Sequence, residues 1–105
     1  MSKPVHRLVI YRPKAGKQEE LLAILKQHGP VLAKTGLITS DGVKLYRATD
    51  LRRHGDPEPY FIELFYWKDE QASDLAHQSP EVMAVWETMG PHMEGMTLTS
   101  LEALT

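Results

Sequence analysis

Three side chains combine a reactive type with an apolar setting: His6, Glu63 and His77. Imidazole titrates near neutral pH, so histidine is well suited to take a proton from a phenol or an enol. His6 lies in the run V-H-R-L-V-I-Y at residues 5–11 and shares a strand face with Leu8 and Ile10. Its plain structural alternative is a histidine near a strand start, bonded to a neighbour or to water. Glu63 interrupts Y-F-I-E-L-F-Y-W at residues 60–67, on the face of Phe61, Phe65 and Trp67. A carboxylate there must be paired, protonated or wet, because charge in apolar surroundings is costly. Two readings stay open: a base inside a pocket, or an ion pair with Arg7 or Arg47 across the sheet. His77 stands before Q-S-P, between two helical stretches. It reads either as the wall of a pocket mouth or as a C-terminal cap favoured by the helix dipole.

Other chemistries are excluded or unsupported. The chain has no cysteine, which removes disulfides, thiolate nucleophiles and cysteine-ligated metal centres. His6, His28, His54, His77 and His92 show neither His-x-His nor His-x-x-x-His spacing, so no metal motif is present. There is no glycine-rich phosphate loop, dinucleotide fingerprint or nucleophile elbow, and no cofactor is expected. Net charge is −2, with Lys and Arg spread along the chain. The densest basic spot, Arg52, Arg53 and His54, sits among Gly55, Asp56, Pro57 and Pro59 and reads as a solvated turn. Neither a nucleic acid nor a membrane is an expected partner. No apolar run approaches the ~20 residues that span a bilayer, and a cytoplasmic location is expected.

These side chains need elements to position them. The 105 residues, 42% apolar and 25% charged, suit one globular domain over residues 1–105. Residues 5–11 form a strand stopped by Pro13, apolar on both faces. Residues 16–28 form a helix with Leu21, Ile24, Leu25 and His28 on one stripe. Gly29-Pro30 should interrupt it, with a further turn at residues 31–34 closed by Gly36. Strands follow at residues 43–49 and 60–67, the second again apolar on both faces, with a long loop between them. Asp69 can cap a short helix reaching His77, and Ser79-Pro80-Glu81 opens another. Val82, Val85, Trp86 and Met89 make the stripe of that helix, Gly90-Pro91 ends it, and residues 96–104 form the last strand. The order β-α-β-β-α-β, with the second helix split in two, predicts an α+β ferredoxin-like fold with a four-stranded antiparallel sheet. Helices cover one face only, so strands apolar on both faces call for a second copy packed sheet to sheet.

The segment Trp67-Lys68-Asp69-Glu70-Gln71-Ala72, followed by Ala76-His77-Gln78-Ser79-Pro80-Glu81-Val82, resembles the strand exit and helix starts of antibiotic-biosynthesis-monooxygenase-like (ABM) domains. Residues 6–22 are similar to that family's first strand and helix. The resemblance implies a dimeric α+β barrel, with a small apolar or aromatic ligand held between sheet and helices. It implies either a cofactor-independent monooxygenase acting on a small aromatic or quinol-like compound, or a non-catalytic dimeric module that binds such a ligand. It assigns the pocket to the His6 face of the first strand, with Leu8, Ile10, Phe65, Trp86 and Met89 as lining. Tyr11 and Trp67 are expected to serve the sheet and its packing. In haem-degrading relatives the three characteristic positions fall on His6, Ala76 and Trp86, none of which carries the required residue. His6 and Glu63 are expected on adjacent, parallel strands, and can cooperate only if both point to the same face.

Overall fold

The computed structural model describes residues 3–51, 55 and 58–105. The turn expected around Arg52, Arg53 and His54 lies outside the described residues. The elements are β1 (Val5–Pro13), α1 (Gln18–Thr35), β2 (Lys44–Ala48), β3 (Tyr60–Trp67), α2 (Ala72–Ala76) and α3 (Pro80–Met89). A 3-10 turn, Gly90–His92, then leads into β4 (Met93–Leu101). The sheet order is β2-β3-β1-β4, and every neighbouring pair is antiparallel. This is the ferredoxin-like α+β arrangement that the sequence predicts. Two details differ. β1 and β3 run antiparallel rather than parallel, and β4 starts at Met93 because Pro13 of the lengthened β1 still aligns with it.

α1 runs unbroken through Gly29 and Pro30, where an interruption was expected. Proline disfavours helical backbone in the preceding residue partly through that residue's Cβ, which glycine lacks. Gly29 also meets β2's approach: a Cβ added there would lie 3.2 Å from Val43 Cβ. The helix therefore reaches Thr35 and ends at Gly36, whose φ of 74° is the left-handed cap that glycine favours. Its buried stripe is Leu21, Ile24, Leu25, His28 and Leu32, the expected set with one more turn. Leu21, Leu25 and Leu32 are almost wholly enclosed, each contributing about 1.5–3 kcal/mol. Ser79 opens α3 as predicted, its Oγ accepting from the Val82 amide at 3.4 Å with Pro80 in the first turn.

β3 alternates strictly. Phe61, Glu63, Phe65 and Trp67 are buried, while Tyr60, Ile62, Leu64 and Tyr66 are half-buried on the other face. The register Val9↔Glu63 and Tyr11↔Phe61 puts Arg7, Val9 and Tyr11 on the buried face too. His6, Leu8 and Ile10 share the other, less buried face with Ile62, Leu64 and Tyr66, on which no helix packs among the described residues. The facing of β1 is thus the reverse of that expected, with His6, Leu8 and Ile10 turned away from the helices. Both faces of that strand are apolar, so periodicity could not choose between them, and only the pairing with β3 decides.

Candidate functional site

Glu63 is wholly enclosed, yet both of its oxygens are satisfied. Tyr11 Oη donates to Oε1 at 2.8 Å. His28 Nδ1 lies 2.9 Å from Oε2. Trp86 Nε1 in turn donates to His28 Nε2 at 2.8 Å. An indole N–H can only donate, so Nε2 must accept and the His28 proton sits on Nδ1, facing Glu63. The tautomer is thereby fixed, and a second proton on His28 would set two donors against each other at Nε2. One network thus ties β1, α1, β3 and α3 together. The ion pair to Arg7 or Arg47 does not form; Arg47 instead pairs with Glu19 at 3.5 Å.

Burial, then the negative charge of Glu63, then the hydrogen bond to it hold the Tyr11 phenol far above its ordinary value. In the unfolded chain a tyrosine releases its proton near ~10. Above that pH the folded state keeps a proton that the unfolded state has lost. The stabilisation from Tyr11 is therefore complete below about pH 10 and declines as pH rises, by about 1.4 kcal/mol per unit for one proton. Urea titrations between pH 8 and 11 on wild type and Tyr11→Phe check this. The variant is expected to be weaker at neutral pH and to lose less stability over the alkaline range.

Above this network, between the sheet and the helices, lies a cavity of about 470 Å³. Val9, Phe65, Trp67, Met89 and Leu98 supply apolar wall, and Trp86 presents its ring. Phe65 and Trp67 meet edge to face at 5.0 Å between centroids, which keeps both rings upright. His77 stands at the rim, exposed, its ring edge-on to Trp86 at 4.9 Å. Its Nδ1 donates to the Ser73 carbonyl at 2.8 Å. That bond caps α2, as one sequence reading held, and leaves Nε2 as the proton-accepting nitrogen of the neutral ring. Arg7, Ser73 and Ser100 also border the cavity.

Of the residues singled out from sequence, the structure brings together Glu63, His77, Phe65, Trp86 and Met89 around this cavity. It places His6, Leu8 and Ile10 on the opposite face, where His6 stacks on Tyr66 at 4.1 Å and 9°. His6 and Glu63 therefore cannot act on one ligand in this cavity. Sequence reasoning gave no functional part to Tyr11, assigned to sheet contacts, or to His28, read as one more member of a helical stripe. A polar residue in each of two apolar patterns was the available signal: Glu63 and His28 each required a buried partner, and each is the other's. Among the described residues no cluster of three or more His, Cys, Asp or Glu could hold a metal ion. No helix there is long and apolar enough to cross a membrane.

No family model and no curated protein matches the sequence. Solved structures do. Protein PA3566 from Pseudomonas aeruginosa superposes with a TM-score of 0.77 at 15% identity, over 100% of this chain and 98% of that one. Rv0793 from Mycobacterium tuberculosis gives 0.75 at 17%, over 98% and 97%. A mutant of SnoaB from Streptomyces nogalater, described as a cofactor-independent oxygenase, gives 0.74 at 12%, over 99% and 96%. A structure described as an antibiotic biosynthesis monooxygenase is also similar, at 0.72. The fold of this chain is ABM-like.

Proposed function

We propose that the chain is a cytoplasmic, homodimeric, cofactor-independent monooxygenase for a small aromatic or quinol-like compound, which it holds between sheet and helices. The observation that carries this reading is His77 at the rim of an open aromatic cavity, Nδ1 anchored on Ser73 and Nε2 unengaged. A phenol lying against Trp86 would give its proton to Nε2. The resulting anion has carbanion character at ring carbon and transfers electrons to dioxygen without help from a metal or flavin. A C–O bond forms, and the hydroperoxide loses water to leave a carbonyl. With 1-naphthol the balance is naphthol plus O2 giving 1,4-naphthoquinone plus water. One oxygen atom enters the product and the other leaves with two hydrogens. The apolar walls keep bulk water from the anion and hold its reacting carbon in place. Glu63, His28 and Tyr11 act at one remove: they fix the indole of Trp86, on which the substrate would lie. The similarity to SnoaB supports the class of reaction. Oxygen uptake with 1-naphthol tests it.

A non-catalytic binding module is favoured by one observation: the buried polar groups satisfy one another completely, as a purely structural wall would. It predicts saturable binding of 1-naphthol with no oxygen uptake.

The dimer rests on the outer sheet face, where Leu8, Ile10, Ile62 and Leu64 are only half-buried in the single chain. A facing sheet would cover them at the usual ~10 Å spacing. Sedimentation is expected to give a dimer for the wild type and a folded monomer for Ile62→Asp, because an unpaired carboxylate cannot be buried in that contact cheaply.

A further inference from the structure

Three arginines lie among the described residues, and two of them are engaged. Arg12 sits over the Tyr60 ring at 4.9 Å. Arg47 lies over Phe61 at 5.7 Å and 3.5 Å from Glu19. Arg7 has no carboxylate within 4.0 Å among the described residues, although it is half-buried and borders the cavity. Its surroundings explain why. Arg7 stands opposite Phe65 on β3 and Ser100 on β4. Glu63 stands opposite Val9, so it is the diagonal neighbour of Arg7 on the same face and within reach of a long side chain. Both Glu63 oxygens are already occupied by Tyr11 and His28. The network that satisfies the buried carboxylate also leaves the guanidinium without it.

A guanidinium partly withdrawn from water, opposite Phe65 in a cavity also lined by Trp67 and Trp86, gains more from an anion than one in open solvent. Its planar pair of N–H groups matches a carboxylate bidentately, and it does not deprotonate. The hydroxyls of Ser73 and Ser100 border the same cavity and can supply further donors. The lining of β1 runs from Arg7 through Val9 to Tyr11, about 13 Å of strand at ~3.3 Å per residue. An anion has one favourable orientation there. Its charge goes to Arg7 rather than toward the negative Glu63, and its ring lies along the apolar wall of Val9 and Phe65. The cavity of about 470 Å³ has room for two fused rings.

We infer that the ligand of this cavity is a small aromatic carboxylate, and that Arg7 selects it by pairing with the carboxylate. The inference rests on the reading of the cavity as the substrate site and names the class of compound it takes. It concerns recognition, not turnover, so it is tested by binding alone.

Calorimetric titration with 2-naphthoate and with its neutral isostere 2-naphthamide tests it. The wild type is expected to prefer the naphthoate by at least about tenfold, the scale of one charge-assisted pair. The preference should shrink as sodium chloride is raised, a readout that needs no substitution. Arg7→Met keeps an unbranched apolar stem without the charge, and is expected to bring the two affinities together by weakening naphthoate binding far more than naphthamide binding. Arg7→Lys should keep part of the preference. Equal affinities in the wild type, no binding of either probe, or a preference that survives Arg7→Met would each overturn the assignment. Absence of oxygen uptake alongside a preference that depends on Arg7 would instead strike the oxygenase reading and leave this one standing.

Discussion

Glu63→Ala is expected to lower the unfolding free energy by about 3–5 kcal/mol, from lost hydrogen bonds and lost packing together. Two effects add. The Tyr11 hydroxyl and the His28 Nδ1–H, both buried, lose their acceptor, at about 1–3 kcal/mol each. A cavity also opens beneath Val9 and beside Phe65, whose walls cannot collapse without moving the sheet. His28 has no easy escape. Turning its proton to Nε2 to spare Nδ1 would set it against the Trp86 N–H, so the loss spreads to α3. Domains of this kind commonly hold only 5–15 kcal/mol, so the variant should melt many degrees lower. Glu63→Gln keeps the shape and one acceptor oxygen, and its amide can donate to the Tyr11 oxygen; a smaller loss, about 1–2 kcal/mol, is expected. Urea unfolding of the three proteins measures this. A Glu63→Ala protein within about 0.5 kcal/mol of wild type would mean that the network carries no structural weight.

His77→Ala should behave in the opposite way. His77 is exposed and its side-chain hydrogen bond caps a five-residue helix, so the stability loss should stay near the ~1 kcal/mol typical of a lost cap. Turnover of 1-naphthol should fall by about 10²–10³, the usual contribution of a positioned general base. Binding of 1-naphthol should change little, because Phe65, Trp67 and Trp86 still line the cavity. The loss should therefore appear in kcat rather than in KM. His77→Gln, which can keep the bond to Ser73 but takes up no proton, should be as slow as the alanine variant while restoring the cap. Recovery of turnover in His77→Gln would show that the imidazole serves only as a cap.

The fold was largely legible because its strongest signals are local. The aromatic-rich run of β3, the Ser-Pro-Glu start of α3 and the α1 stripe each match the structure closely. Pro30 is a poor stop signal here because Gly29 before it has no Cβ to clash, and α1 continues through both. The site was less legible, and for a different reason. Which face of β1 meets the helices depends on the register with β3, a contact between residues more than fifty positions apart. With Leu8 and Ile10 on one face and Val9 and Tyr11 on the other, hydropathy carried no preference, so His6 was placed toward the pocket when it stacks on Tyr66 outside it. A buried Glu63 in the sequence calls for a partner, and the cations Arg7 and Arg47 are the obvious ones. Its partners are a phenol and a neutral imidazole, groups that sequence reading had assigned to packing.

The most direct test of the central claim is the fate of labelled dioxygen. Wild-type protein, treated with a chelator and free of added cofactor, is given 1-naphthol under ¹⁸O2, with His77→Ala in parallel. One ¹⁸O atom in the 1,4-naphthoquinone, formed well above the buffer rate and lost in His77→Ala, is the expected result. Saturable binding of naphthol with no product above the buffer rate, or product formed equally well by both proteins, would contradict it.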